Sequence, residues 1–185
     1  VDLLLGEYLT IVGWHGQRER SFDDKSLGID DGLAQVRLGL DSLYAAGGAL
    51  ALDSASVNIT DSSVTNNQTT GRFSYGAGVF AVRSDLTITG STFSSNAATG
   101  ANTDGGALST FFTNVTLDST TVARNTATGE GGGLFFTDNE NRTLTIQNSI
   151  VAENTDGGAA PDFLAPANAS NLTVDFSLIG DNTGT

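Results

Sequence analysis

Two carboxylates, Asp118 and Asp175, occupy equivalent positions of a repeating pattern, and such pairs can perform the acid and base steps of glycoside hydrolysis when their separation is right. The intervening repeat places Gln147 between them, so they stand two strand spacings apart. At about 4.8 Å per paired strand that is near 10 Å, wide even for an inverting pair. A solvated surface accounts for them better. A polysaccharide lyase would need a base such as Lys or Arg beside a Ca2+ cluster. Arg72, Arg83, Arg124 and Arg142 are the cations within the repeats, and they fall at unrelated positions. Arg83 is near Asp85, and Asn141-Arg142 follows Glu140, but neither group forms a recognisable motif.

The single histidine, His15 beside Trp14, lacks the Ser, Cys or second His that a nucleophilic constellation requires. Metal clusters built from His and Cys are excluded by count. Calcium stays open as a cofactor at Asp23-Asp24, Asp30-Asp31 or Asp138-Asn139-Glu140, because hard cations take several oxygen ligands. None of these matches an EF-hand loop or the glycine-rich calcium nonapeptide, and acid pairs on loops are usually solvated. The sequence therefore assigns no catalytic, cofactor-binding or metal-ligating residue.

The 185 residues carry eight Lys and Arg against 21 Asp and Glu, for a formal net charge of -13. Nucleic acid and anionic membrane surfaces both require a cationic face, so neither is expected as a partner. Four of the cations, Arg18, Arg20, Lys25 and Arg37, lie in the first 45 residues. With no Cys there is no disulfide or thiol chemistry, and the redox compartment stays open. No apolar run approaches membrane-spanning length, and Val-Asp-Leu-Leu-Leu is too short for a signal peptide. The start without Met suggests a processed or excised piece of a longer chain.

What must position any site is a repeat. Asn67, Asn96, Asn125, Asn154 and Asn182 stand 29, 29, 29 and 28 residues apart, each three residues after Val64, Phe93, Val122, Val151 or Ile179. A fixed period of this size marks an architecture whose units bury their apolar faces by stacking on one another. A second column alternates apolar and polar: Val57-Asn58-Ile59-Thr60, Leu86-Thr87-Ile88-Thr89, Val115-Thr116-Leu117-Asp118, Leu144-Thr145-Ile146-Gln147 and Leu172-Thr173-Val174-Asp175. Period two predicts strands with one buried face, Asn58, Thr87, Thr116, Thr145 and Thr173 forming an outward polar ladder. Only Thr87-Ile88-Thr89 repeats both threonines, and charged neighbours spoil the flat plane that ice binding would require.

A third column, Gly47-Gly48-Ala49-Leu50, Gly76-Ala77-Gly78-Val79, Gly105-Gly106-Ala107-Leu108 and Gly131-Gly132-Gly133-Leu134, predicts a tight corner entering a strand. A fourth, Ser62, Ser91, Thr120, Ser149 and Ser177, precedes each asparagine. Three strands per turn in register describe a parallel β-helix, with Asn at the bend after the third strand because it tolerates αL and its amide can bond adjacent turns. The expectation is an all-β, right-handed single-stranded parallel β-helix of five to six turns of ~29 residues, the hand following from parallel crossover connections. The turns are expected near 46–75, 76–104, 105–130, 131–161 and 162–185, with loops protruding between each Asn and the next glycine pair.

Residues 1–45 leave this frame. Tyr8-Leu9-Thr10-Ile11-Val12 resembles the second column but lies 48 residues before Val57, which suggests a degenerate first turn with an insertion or cap. Leu33, Val36, Leu40 and Leu43 have helical spacing, while Val36, Leu38 and Leu40 also alternate, so a short helix there is the leaning. Such a helix would cover the open end of the stack or lie along one flank.

Gly-Gly-Ala-Leu paired with Phe93-Ser94-Ser95-Asn96 resembles the Gly-Gly-Ala-Ile and Phe-x-x-Asn repeats of the polymorphic outer-membrane proteins of chlamydiae and related bacterial surface proteins. Ser149 to Asn154, Pro161-Asp162-Phe163 and Leu178 to Gly184 are similar to the closing repeat of secreted right-handed β-helix proteins. The resemblance covers residues 46–185. It implies an extracellular or cell-surface module, a rigid acidic spacer or adhesin-type scaffold, with glycans or cell-surface proteins as the partner classes. Two alternatives stand beside it: a lyase or glycosidase acting on polysaccharide, and a carbohydrate-binding module using Phe73, Tyr75, Phe111 or Phe112.

Overall fold

A computed structural model describes residues 28–29, 33–34, 44–137, 141–165 and 171–181. After each glycine corner the chain enters a leading strand, Leu50–Asp53, Val79–Val82, Leu108–Phe111, Leu134–Thr137 and Phe163–Leu164 in successive turns. It then turns into a middle strand, Ser56–Thr60, Asp85–Thr89, Asn114–Asp118, Leu144–Gln147 and Leu172–Asp175. A trailing strand follows: Ser63–Thr65, Thr92–Ser94, Thr121–Ala123, Ile150–Ala152 and Leu178–Ile179. Every strand pairs in parallel with its equivalent one turn away, so the expected parallel β-helix is the fold.

The register is the one the columns predict. Leu86 pairs with Val57 and Val115, and Val115 with Leu144, in one continuous inward row. Val57, Leu86, Val115 and Leu144 are buried with Ile59, Ile88, Leu117 and Ile146, while Val64, Phe93, Val122 and Val151 close the core from the trailing sheet. Stacking equivalent residues gives each the same neighbours above and below, so burial is nearly complete in the interior turns. At the last middle strand Val174 is 42% exposed, because among the described residues no strand lies beyond it.

Three expectations need correction. The turn carries more than three strands: Gln68–Thr69, Ala97–Ala98 and Thr126–Ala127 form one short sheet, and Tyr44–Ala46, Phe73–Tyr75 and Asn102–Asp104 another. The segments after Asn67 and Asn96 are therefore paired strands rather than protruding loops, and Ala77, Ala98 and Ala127 form a small second core beneath them. These strands are only two or three residues long, too short for hydrophobic alternation to betray them. The number of complete turns is about four, because the outermost strands belong to partial turns. The helical leaning also fails where it can be seen: Leu33–Ala34 is a strand paired with Ser63 and Val64, and stacking overrides local periodicity. Val36, Leu38, Leu40 and Leu43 lie outside the described residues.

The first middle strand is Gly28–Ile29, which pairs with Asn58 and Ile59. Tyr8–Val12 lies outside the described residues, as does Asn182. Among the described residues no helix is long and apolar enough to cross a membrane.

Candidate functional site

The asparagine column is a buried hydrogen-bond ladder. The Asn67 backbone N–H and Nδ2 donate to Asn96 Oδ1 at 3.1 and 2.9 Å, and the same two groups of Asn96 donate to Asn125 Oδ1 at 3.0 and 2.9 Å. Asn125 repeats this onto Asn154 Oδ1, both at 2.9 Å. Each amide thereby satisfies a backbone N–H that the bend removes from sheet pairing, which is why a side-chain acceptor is needed there. The residue before each asparagine, Asn66, Ser95, Arg124 and Glu153, has positive φ and makes the corner.

The ladder ends on a carboxylate. Asp162 Oδ1 accepts both the Asn154 N–H and Nδ2 at 2.9 Å, and Oδ2 accepts the Asp181 N–H at 2.6 Å. Asp162 stands in the column of Ala49, Gly78, Ala107 and Gly133, whose small size leaves room for the amides. A Cβ on Gly133 would lie 2.7 Å from Asn154 Nδ2, so a side chain at this column enters the ladder. Sequence reasoning missed Asp162 because it follows Asn154 by eight residues instead of about 29; the one signal was a large polar residue in a small-residue column.

Two hydroxyl ladders accompany it. The Ser62 N–H donates to Ser91 Oγ, Thr120 to Ser149 and Ser149 to Ser177, the expected serine column. A second, unforeseen one runs from the Ala55 N–H to Ser84 Oγ and from the Ser84 N–H to Thr113 Oγ1. Its recurrence at 29 residues was legible, but Ala55 breaks the residue type.

The charged candidates disperse. Arg83 pairs with Asp53 of the neighbouring turn at 2.6 Å, whereas Asp85 accepts from Asn114 Nδ2, so the sequence neighbours Arg83 and Asp85 serve separate contacts. Arg124 pairs with Glu153 at 3.0 Å, and Arg72 lies over the Phe73 ring at 5.7 Å. Asp118 and Asp175 each pair in register with Gln147, placing them two strands apart as expected. Hydrogen bonds from Asn148, Gln147 and Ser119 hold the surface carboxyl of Asp118 below its ordinary pKa. Asp104 is pushed above its own by burial, partly offset by the Glu130 N–H that it accepts. No group of three His, Cys, Asp or Glu among the described residues could hold a metal ion. His15 and all three candidate calcium segments lie outside the described residues.

Aromatic rings converge on the outer face of the leading sheet. Tyr75 meets Phe111 edge-on at 5.5 Å and Phe80 at 6.1 Å; Phe111 lies 5.8 Å from Phe80 and 5.7 Å from Phe135. Tyr75 and Phe111 were foreseen as surface aromatics, Phe80 and Phe135 were not; their signal was the outward position after Val79 and Leu134. Phe73 pairs in register with Asn102, and Phe112 sits at the next corner with φ of 52°.

Residues 42–184 match the family model described as right handed beta helix region. No curated protein and no solved structure matches the chain.

Proposed function

The chain belongs to the right-handed β-helix family, and on that premise we propose that it acts as a rigid, non-enzymatic display module or spacer of a bacterial surface or secreted protein. The observation that carries this reading is the turn-to-turn pairing of the polar groups in the repeats: Arg83 with Asp53, Arg124 with Glu153, Asn114 with Asp85, Asn148 with Asp118. Groups that tie adjacent turns together stiffen a rod, and they do not converge on one point where a bond could be broken. The acidic surface supports solubility in an aqueous exterior setting and disfavours nucleic acid. The extracellular setting, the glycan or cell-surface partners and the likeness to chlamydial polymorphic outer-membrane proteins rest on Gly-Gly-Ala-Leu and Phe93-Ser94-Ser95-Asn96.

Screening the protein against a glycan array while monitoring release of reducing or unsaturated sugar ends tests this. Neither binding nor release is the result expected of a spacer, and binding without release that of a display module. Released sugar ends would overturn the proposal in favour of a lyase or glycosidase.

A further inference from the structure

The outer wall of the trailing sheet changes character along the coil. One outward column runs Ser63, Thr92, Thr121, Ile150 and Leu178, and the other Thr65, Ser94, Ala123 and Ala152, paired in register from turn to turn. Hydroxyls thus give way to apolar side chains in the last two turns, where Ile150 is 43% and Leu178 57% exposed. The corner that enters this strand changes with them. Asp61, Gly90, Ser119 and Asn148 hold it in the earlier turns and Phe176 in the last, all with positive φ. A bulky residue is costly in that conformation, yet Phe176 keeps it while 86% exposed.

These three side chains are neighbours, since Leu178 pairs with Ile150 and follows Phe176 by two residues. Val174, the other exposed large apolar side chain among the described residues, is of a different kind: it continues the inward row of Ile146, so one more strand on the open edge would bury it. The same strand would leave Ile150 and Leu178 uncovered, because they face outward from the sheet. What covers them lies against the side of the coil. Ile150, Phe176 and Leu178 together expose on the order of 300 Å2, the size at which a patch on a monomer often marks an interaction site.

Charge indicates the partner. Outward positions of the middle sheet include Asp85, Asp118 and Asp175, and those of the leading sheet Asp53, whereas the trailing wall from Ser63 to Leu178 carries no charge at its outward positions. Arg124 and Glu153 at its border offset each other at 3.0 Å. In a chain of net charge -13, two copies repel least where the facing walls are uncharged, and loss of charged residues is the compositional mark of an interface core. A sheet face of small Ser, Thr and Ala side chains can approach another at about 10 Å, and an apolar patch complements itself, as a two-fold pair requires.

We propose that the apolar end of the trailing wall is a two-fold interface, on which a second copy of this chain docks through its own Ile150, Phe176 and Leu178. The apolar area is less than half of the about 800 Å2 that each partner gives to a standard interface, so the hydroxyl-bearing turns form a rim and the dimer is weak and concentration-dependent. The inference goes beyond the display role, and its readout, mass in solution, is separate from sugar binding or release.

Sedimentation of the 185-residue chain over a concentration series tests it. A reversible dimer is expected, tightening as salt rises from about 50 to 500 mM, because Asp175 and Asp181 flank the last trailing strand and are screened. Leu178→Asp sets like charges across the two-fold and should weaken dimerisation at least about tenfold with an unchanged melting curve, whereas Thr87→Asp on the middle sheet should leave it as it was. The chain has no cysteine, so a short bismaleimide should join copies of Ala152→Cys, which leaves the patch intact, and not copies of Thr87→Cys. A monomer at every concentration would overturn the proposal, as would a dimer indifferent to Leu178→Asp or equal cross-linking at both sites. A dimer lost in Val174→Asp but kept in Leu178→Asp would move the contact to the open edge of the coil. A monomer that sediments with phosphatidylcholine vesicles, and ceases to in Leu178→Asp, would assign the patch to a lipid surface instead.

Discussion

Asn96→Ala removes an interior rung of the ladder. Its Oδ1 accepts from the Asn67 N–H and Nδ2, and its Nδ2 donates to Asn125 Oδ1 and to the Val64 carbonyl, all from a fully buried side chain. Alanine cancels four hydrogen bonds and strips the buried Asn67 N–H of its acceptor. Counting the Asn67 N–H once, as the orphaned donor at about 1–3 kcal/mol, and the other three bonds at roughly 0.5–1.5 kcal/mol each, the loss lies between about 2.5 and 7.5 kcal/mol, and about 4 kcal/mol is expected where the void partly refills. That is a large share of the roughly 5–15 kcal/mol that holds an ordinary domain together. Asn67→Ala should cost less, about 1–2 kcal/mol, because Asn67 Oδ1 has no partner among the described residues and only its Nδ2 donations to Asn96 and Thr65 are lost. Asn58→Ala, exposed on the middle sheet, should stay within about 0.5 kcal/mol. Urea unfolding followed by circular dichroism measures all three; with a slope of about 2 kcal/mol/M, the Asn96 midpoint should fall by about 2 M. Equal losses at Asn96 and Asn67, or a loss below about 1 kcal/mol at Asn96, would refute the account of the ladder as a stabilising chain of amides.

Other substitutions test neighbouring parts of the account. Gly76 has φ of 57° and a Cβ there would collide with the Val79 carbonyl, so Gly76→Ala should lower thermal stability by more than about 2 kcal/mol; at Gly90, φ 60°, the obstacle is the movable Asp61 carboxylate, and the loss should be nearer 1 kcal/mol. The raised pKa of Asp104 means that its carboxyl favours folding while protonated, below the unfolded-state value, and that this contribution is lost as pH rises through the higher folded value. Asp104→Asn keeps an acceptor for the Glu130 N–H without titrating, so its stability relative to the parent should grow from acid toward neutral pH in urea midpoints; a constant difference would contradict this. Asp53→Ala breaks an ion pair whose side chains are 50% and 56% exposed, and should change the melting midpoint by less than about 1 kcal/mol equivalent.

The repeat was legible because stacking demands the same residue class at the same place in each turn. Val57, Leu86, Val115 and Leu144 have identical surroundings, so a column read from the sequence is already a contact list. The two short sheets were not legible, since Gln68–Thr69 and Ala97–Ala98 are too brief for alternation to emerge. Leu33–Ala34 was misread as helical because spacing among leucines in a short stretch fits either period. Arg83 and Asp85 are near in sequence but form no motif, and the corner at Arg83, with φ of 49°, separates them between the leading and middle strands, while residues about 30 apart in sequence touch, as Arg83 and Asp53 do.

The sequence by itself determined the coil: its period, its inward rows, its asparagine ladder and its register, all of which follow from one condition, that equivalent residues lie one strand spacing apart. Only the tertiary structure decided how the ladder ends and which aromatic rings meet. Asp162 completes the amide chain from a column of small residues, and Phe80, Phe111, Phe135 and Tyr75 come from different turns and different strands to form one surface. Both depend on distances across the coil rather than along it, and these are set by how the turns close.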